Sequence, residues 1–597
     1  MRRKAKGNFT GGRIPRALAL VMGLGLVITA CGGDSGGGTG EAGSDAGGEV
    51  GEPQSGGELT VLLDSGFAGG WATGLDPATS NSTGANLPQN AAIFGGLFTL
   101  EADEDGSNAR IEPNQAESFE WSQDGLTLTV TLHDGIEFSD GTPFDAEAVL
   151  WNWIRELSSG STGAPIIDLN LSMDPPELSD EFMDSLWDAL PEDVDRDVVM
   201  QRLGAIRVVD DLTLELNFNT VNGALLNGFP GTNMNLIGSP TAYAEMGAEA
   251  FSVEPVAAGP FTVVDNRQNE RLQLERNPDY FKDGLPYLDA LTFQSVAGDQ
   301  VLYQTLQAGQ GDVIEGMSDV TLINEAQNNP EVDVHLGVPT SPYVIQLNTR
   351  QPPFDDRRAR EAIYYATDFE TIQQGLFGGD GEMSQSFTAS GGLFHQPDVE
   401  GYREYDPDQA QQLVDELGGL EVELGTTDLS TARSVTTALQ TQWREAGIDV
   451  TIDSKPLGDV ITQFTSGDWE SMLQTAGAWD PASGIGVQVR FGSTSPFSGT
   501  PFPEGASNAD EAIANDLATP LDDLLDGAIA TIDPDEREAA YQEIAEYISD
   551  EAYGPFGMAF SPAQVVRDGV HGPGLTMPIP ALAVNTGVLY DRVWVEQ

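Results

Sequence analysis

The stretch Phe119–Leu157, FEWSQDGLTLTVTLHDGIEFSDGTPFDAEAVLWNWIREL, decides how the rest of the chain is read. Leu126, Leu128, Val130 and Leu132 alternate with Thr127, Thr129 and Thr131. That period of two predicts a half-buried strand with its aliphatics on one face. His133-Asp134-Gly135 and Ser139-Asp140-Gly141 predict two tight turns, because Asp and Gly tolerate the left-handed backbone of a reversal. Asp145 stands where an N-cap accepts from the first free helical amides, and Val149, Trp153, Ile154 and Leu157 recur along one helical face. The unit reads as strand, turn, short strand, turn, helix, a scaffold without chemistry of its own.

Around it lie 597 residues, more than one hydrophobic core usually serves, so two or three lobes are expected. Six basic residues, Arg2, Arg3, Lys4, Lys6, Arg13 and Arg16, precede the apolar run Ala17–Ile28. That run is short for a membrane span of about 20 residues and reads as a secretory leader. Without residues 1–30 the chain keeps 21 basic against 94 acidic residues, a formal charge of −73. Nucleic acid and anionic membrane surfaces need a basic footprint, so both are disfavoured as partners. The acidic surplus reads as a solvated shell outside the cell. Cys31 is the single cysteine, so no internal disulfide forms. Residues 31–56 are rich in Gly, Ser, Asp and Glu and predict a flexible tether, spanning roughly 25–30 Å as a coil.

Trp121, Asp124-Gly125-Leu126, Leu132, Asp134-Gly135, Phe138, Asp140-Gly141-Thr142-Pro143 and Ala146-Glu147 resemble the signature block of family 5 of the bacterial extracellular solute-binding proteins. Other blocks follow in the family's order. They are Leu75-Asp76-Pro77-Ala78, Phe94-Gly95-Gly96-Leu97-Phe98, Ala258-Gly259-Pro260-Phe261, Asn277-Pro278-Asp279-Tyr280-Phe281, Ala308-Gly309-Gln310-Gly311-Asp312 and Leu347-Asn348-Thr349 with Pro353-Phe354-Asp355-Asp356. The resemblance spans residues 57–597. Ile28-Thr29-Ala30-Cys31 likewise resembles a lipobox, which implies acylation of Cys31 and a lipid anchor on the outer face of the cell membrane.

The resemblance implies an α/β, two-lobed fold of the type II periplasmic-binding-protein kind, with an extra α+β subdomain on the first lobe. The expected division is a leader (1–30), a tether (31–56), lobe 1 (57–93, 232–315 and 560–597), the subdomain (94–231) and lobe 2 (316–559). The first crossover between lobes is expected near Glu315, and helices paired with the strands around Val422–Gly425 and Asp449–Ile452 suggest a mostly parallel second sheet.

Motifs for catalysis are missing from the folded part: from residue 57 on there is no G-x-S-x-G, H-E-x-x-H or phosphate-binding glycine loop. The four histidines, His133, His335, His395 and His571, are widely separated, so neither a metal nor a cofactor is expected. Lobes that close on a solute suit the sequence better. The segment 474–492 falls where the family places its main ligand-contacting loop, with Trp479, Asp480 and Pro481 keeping its aromatic and Asp-Pro character. Gly477 stands where peptide-binding members carry the aspartate for the peptide ammonium, a departure that Asp480 would offset in a shifted alignment. Arg490 would pair either with an anionic ligand group or with one of the many carboxylates of the chain. Tyr343 and Trp71 are candidate apolar walls, Trp71 alternatively packing its own loop.

The expected function is capture of a peptide or peptide-like solute by a monomeric subunit that hands it to an ABC permease and its ATPase, with no catalytic step. Nickel complexes, opines or oligosaccharides are alternative ligands on the same fold. A secreted hydrolase and a surface sensor are the alternatives of another class.

Overall fold

The computed structural model describes residues 52–65, 71, 74–79, 86–101, 109–159, 169–176, 178–476, 479–482, 486–560, 563–573, 575 and 588–597. The expectations for the leader, for Cys31, for the tether as far as Gly51 and for Gly477 lie outside these. Within the body Glu52–Gln597, three sheets organise the chain.

The opening stretch forms as its pattern requires. Strand Thr127–Leu132 buries Leu128, Val130 and Leu132 completely and leaves its threonines half-buried. It is the second strand of sheet III, ordered Ala116–Trp121, Thr127–Leu132, Thr213–Asn217, Ile206–Asp210, all antiparallel. Gly135 and Gly141 both take φ of +80°, as the two turns demand. Asp145 caps helix Ala146–Ser158 by accepting from the Ala148 amide. One expectation is exceeded: this helix buries almost every side, not one face. Segment 233–243 covers the side away from sheet III, where Asn152 Nδ2 donates to Gly238 O (2.8 Å) and Trp153 Nε1 to Met234 O (2.8 Å). Arg155, flanked by the rings of Trp151 and Tyr243, pairs with Asp76 at 2.7 Å and ties the first loop of the chain to the helix.

Sheet I has seven strands in the order Val332–Leu336, Ala563–Arg567, Val313–Met317, Glu58–Asp64, Ala290–Val296, Arg271–Arg276, Phe261–Arg267. Sheet II has six: Glu382–Met383, Phe556–Ala559, Pro342–Leu347, Ser471–Thr475, Leu420–Thr427, Ile448–Lys455. Sheet II is mixed, its parallel part being Leu420–Thr427 with Ile448–Lys455 and Ser471–Thr475. The chain passes from sheet I to sheet II between Leu336 and Pro342 and returns between Ala559 and Ala563.

The first passage lies some 20 residues later than the sequence suggests. Strand Val332–Leu336 still pairs with Ala563–Arg567 at the edge of sheet I, so Glu315 sits inside the first lobe. The boundary of the subdomain shifts too. Met234, Ile237, Tyr243, Phe251 and Ala258 belong to the same core as Leu128, Trp153 and Leu214, so most of segment 232–258 packs with sheet III, while Leu236 and Ala257 join the core of sheet I.

Glu315 is 1% exposed in the core under sheet I. Its Oε2 accepts from the Tyr590 hydroxyl at 2.8 Å, Oε1 has no partner among the described residues, and burial pushes the carboxyl up to about 8. The folded protein therefore holds a proton here that the unfolded chain releases above the ordinary Glu range. Stability from this group is full below about pH 4.5 and is lost as pH rises through 8. Glu315→Gln keeps the neutral shape. Its melting temperature should fall by several degrees less than that of the wild type between pH 5 and 8.5, as measured by calorimetry; parallel curves would refute the assignment.

Candidate functional site

Both α/β sheets turn the carboxyl ends of their parallel strands toward the two crossovers. Glu58–Asp64 runs parallel to Ala290–Val296 and to Val313–Met317 and ends at Asp64. In sheet II the ends are Thr427, Lys455 and Thr475. Ligands of open α/β sheets bind in the crevice beyond such ends, above all where successive helices change face. Sheet II changes face there. Helix Ser430–Glu445 packs Val435, Leu439 and Trp443 on the side of Leu473. Helix Leu457–Ser466 packs Val460 and Phe464 on the opposite side, against Met472.

Across this crevice the lobes already touch. Near the crossover, Thr431 Oγ1 reaches Ser318 Oγ at 3.4 Å. A denser contact joins the sheet III unit to lobe 2 around Asp480. This carboxylate is 0% exposed, and Arg537 of helix Pro534–Asp550, 3% exposed, donates Nη2 to both its oxygens at 3.0 Å. From the other side Asn227 donates Nδ2 to Asp480 Oδ2 at 2.8 Å. Arg537 Nη1 donates to Gly223 O at 3.3 Å, and the Gly223 amide donates to Ile529 O at 2.8 Å. Burial pulls the Arg537 guanidinium down, Asp480 and Tyr541 pull it up, and the net shift is upward, so the guanidinium stays charged.

The residues singled out in the sequence divide among different tasks. Trp71, 0% exposed, is fixed in the core of lobe 1 by the 266–269 turn: Nε1 donates to Asn266 Oδ1 (2.9 Å) and the amide to Asn269 Oδ1 (2.7 Å). Its packing role thus prevails over a cleft wall. Tyr343 is the second residue of strand Pro342–Leu347, beside Thr475, half-buried at the cleft end of lobe 2, where burial pushes its hydroxyl up to about 12. Trp479 is buried and its carbonyl accepts from the Leu393 amide at 2.7 Å. Asp480 serves the contact between lobes, with both oxygens occupied by Arg537 and Asn227. Arg490 is buried on the short helix Val487–Phe491, which follows the Asp480 loop.

Arg537, Asn227 and Gly223 escaped the sequence reading. The available signal was Arg537 itself, the single basic residue of the acidic helix PDEREAAYQEIAEYISD.

Residues 110–496 match the model of the bacterial extracellular solute-binding proteins, family 5, middle part. The glutathione-binding protein GsiB of Shigella flexneri is 26% identical over 511 residues, covering 83% of this chain and 87% of that protein. The fold is also that of the ABC transporter-associated periplasmic binding protein DppA from Helicobacter pylori in complex with the peptide STSA. There the TM-score is 0.67 at 19% identity, over 91% of this chain and 99% of that one. MoaA from A. tumefaciens R10, in complex with mannopinic acid, aligns with a TM-score of 0.68 at 19% identity, over 91% and 100%. The chain belongs to the bacterial extracellular solute-binding proteins, family 5, and has their two-lobed α/β fold of type II with an added α+β subdomain.

Proposed function

We propose that this protein captures a peptide or peptide-like solute between its lobes and delivers it to an ABC permease and its ATPase, with no chemical step. The observation that carries the reading is the crevice. Two crossovers lie at one end of two sheets whose parallel strands point their carboxyl ends at each other, an arrangement suited to closing on a solute. Relatives named for glutathione or solved with a peptide support the ligand class. An opine is the second reading, supported by the mannopinic acid complex of the same fold.

In this reading the molecule is a monomer anchored through lipidated Cys31, with the segment from Cys31 to the body at Glu52 as the leash; the expected tether ends earlier than residue 56, because Gln54, Ser55 and Gly56 are bonded to Gln597 and Tyr287 of the body. The division into lobe 1, subdomain and lobe 2 then assigns most of segment 232–258 to the subdomain, with Leu236 and Ala257 seated in lobe 1, and takes the crossovers at 336–342 and 559–563.

The test is a thermal-shift screen of the ligand-stripped protein with di- to pentapeptides and opines, backed by native mass spectrometry of material as purified. A ligand at 100 times its Kd adds about 2.7 kcal/mol to folded-state stability, well within detection. Peptide stabilisation is expected. Stabilisation by opines alone would move the assignment to the second reading, and silence across both classes with no co-purified solute would reject it.

A further inference from the structure

We propose that Arg490 is the anchor for a carboxylate of the captured solute, which enters between helices Leu457–Ser466 and Val487–Phe491 from the cleft end of sheet II. This rests on the solute-capture reading above and names the chemistry that reading leaves open.

Four arginines are buried among the described residues: Arg155, Arg360, Arg490 and Arg537. Three have acceptors. Arg155 pairs with Asp76, Arg537 with Asp480, and Arg360 donates to Phe354 O and Glu551 O at 3.0 Å each. The Arg490 side chain has neither a carboxylate nor a carbonyl among the described residues, although it is only 6% exposed. In a chain with 94 acidic residues this is not for want of carboxylates. A buried charge without a partner is costly, and a fold that keeps one gains only if the partner arrives from outside.

The position fits a solute. Val487 donates its amide to Pro481 O, so the helix carrying Arg490 is tied to the Asp480 loop where the lobes meet. The Arg490 carbonyl accepts from Gln346 Nε2 (2.6 Å), which sets the residue over strand Pro342–Leu347 at the level of Met472, below the cleft end of the sheet at Tyr343 and Thr475. Its guanidinium lies 6.0 Å from the ring of Phe464, on the helix that leaves the carboxyl end of Ile448–Lys455. Nε is sealed without an acceptor, and the terminal nitrogens have no hydrogen-bond acceptor among the described residues. A planar guanidinium with free terminal nitrogens matches the two oxygens of a carboxylate. Burial brings the group down to about 10, which leaves it charged at neutral pH.

The test compares wild type, Arg490→Gln and Arg490→Met, all stripped of ligand, by calorimetry and thermal shift. The probes are tri- and tetra-alanine and glutathione, each as free acid and as C-terminal amide, with succinate as a minimal carboxylate. The acids should stabilise wild type, the amide of the best probe should bind about 10- to 100-fold more weakly, and both variants should lose this preference. Unliganded Arg490→Met should melt at or above wild type, since it removes an unpaired charge, whereas a structural ion pair would make it melt lower. Equal binding of acid and amide by wild type, or an acid preference kept by Arg490→Gln, would overturn the anchor. So would a co-purified solute held equally well by Arg490→Met, which leaves solute capture standing. No co-purified solute together with no response to any probe would remove both.

Discussion

Replacing Asp480 by alanine lowers the melting temperature by roughly 10 °C, the largest stability effect expected of any single carboxylate near the cleft. The reason is what remains behind. Arg537 is 3% exposed and donates twice to Asp480, so its charge stays buried with no counter-charge. Breaking a buried pair from one side costs about 3–5 kcal/mol, each kcal/mol being worth about 2–4 °C in a large domain. Asn227 loses the acceptor it uses across the lobe contact. Removing both charges is a different experiment. Asp480→Ala with Arg537→Met leaves no orphan charge, so most of the lost stability returns, and the coupling energy of the cycle measures the pair. Scanning calorimetry of the four proteins decides the matter. A ligand-contacting Asp480 would behave otherwise: the single variant would melt like wild type and lose affinity alone.

That contrast shows where the sequence is informative and where it is not. Leu128, Val130 and Leu132 announce their strand because their partners lie on neighbouring strands of one small sheet and one face is uniformly apolar. Strand Val332–Leu336, VDVHL, alternates apolar and polar residues too, but nothing in it tells which sheet it joins. It is an edge strand, half-exposed on both faces, and its partner Ala563–Arg567 lies some 230 residues away. The lobe boundary was therefore misplaced toward Glu315. The aromatic-Asp-Pro segment at 479–481, expected in a ligand-contacting loop, lies where the lobes meet. The use of its aspartate was not legible, because Arg537 comes 57 residues later on a helix whose other charges are all acidic. Trp71 looked equally suited to wall or core, and its complete burial with the hydrogen bonds to Asn266 and Asn269 separates the two. For Arg490 the abundance of carboxylates made a structural pair the default. Its isolation is visible only once every buried arginine has been matched with its acceptor.

The second large effect is expected on closure and not on folding. Gly223 approaches lobe 2 so closely that a Cβ would stand 2.3 Å from Thr531 O and 3.2 Å from its carbonyl carbon. These are backbone atoms, so no side chain can turn away. Gly223→Ala therefore opposes the contact made by the Gly223 amide with Ile529 O and by Arg537 with Gly223 O, while the cores of both lobes keep their packing. Overpacking of this kind costs about 1–3 kcal/mol. Here the chain has an escape that a core lacks, since the lobes can separate. The population of the closed form falls, and apparent affinity falls in proportion, about 5- to 100-fold for the peptide that stabilises wild type most. Unliganded Gly223→Ala should melt within a few degrees of wild type and show a larger radius of gyration in small-angle scattering. Ligand should shrink wild type and variant to similar dimensions only at much higher concentration in the variant. An unchanged affinity with an unchanged radius would mean that the 223–227 contact does not gate closure. A collapse in melting temperature would mean that it holds the fold together, as the Asp480–Arg537 pair does.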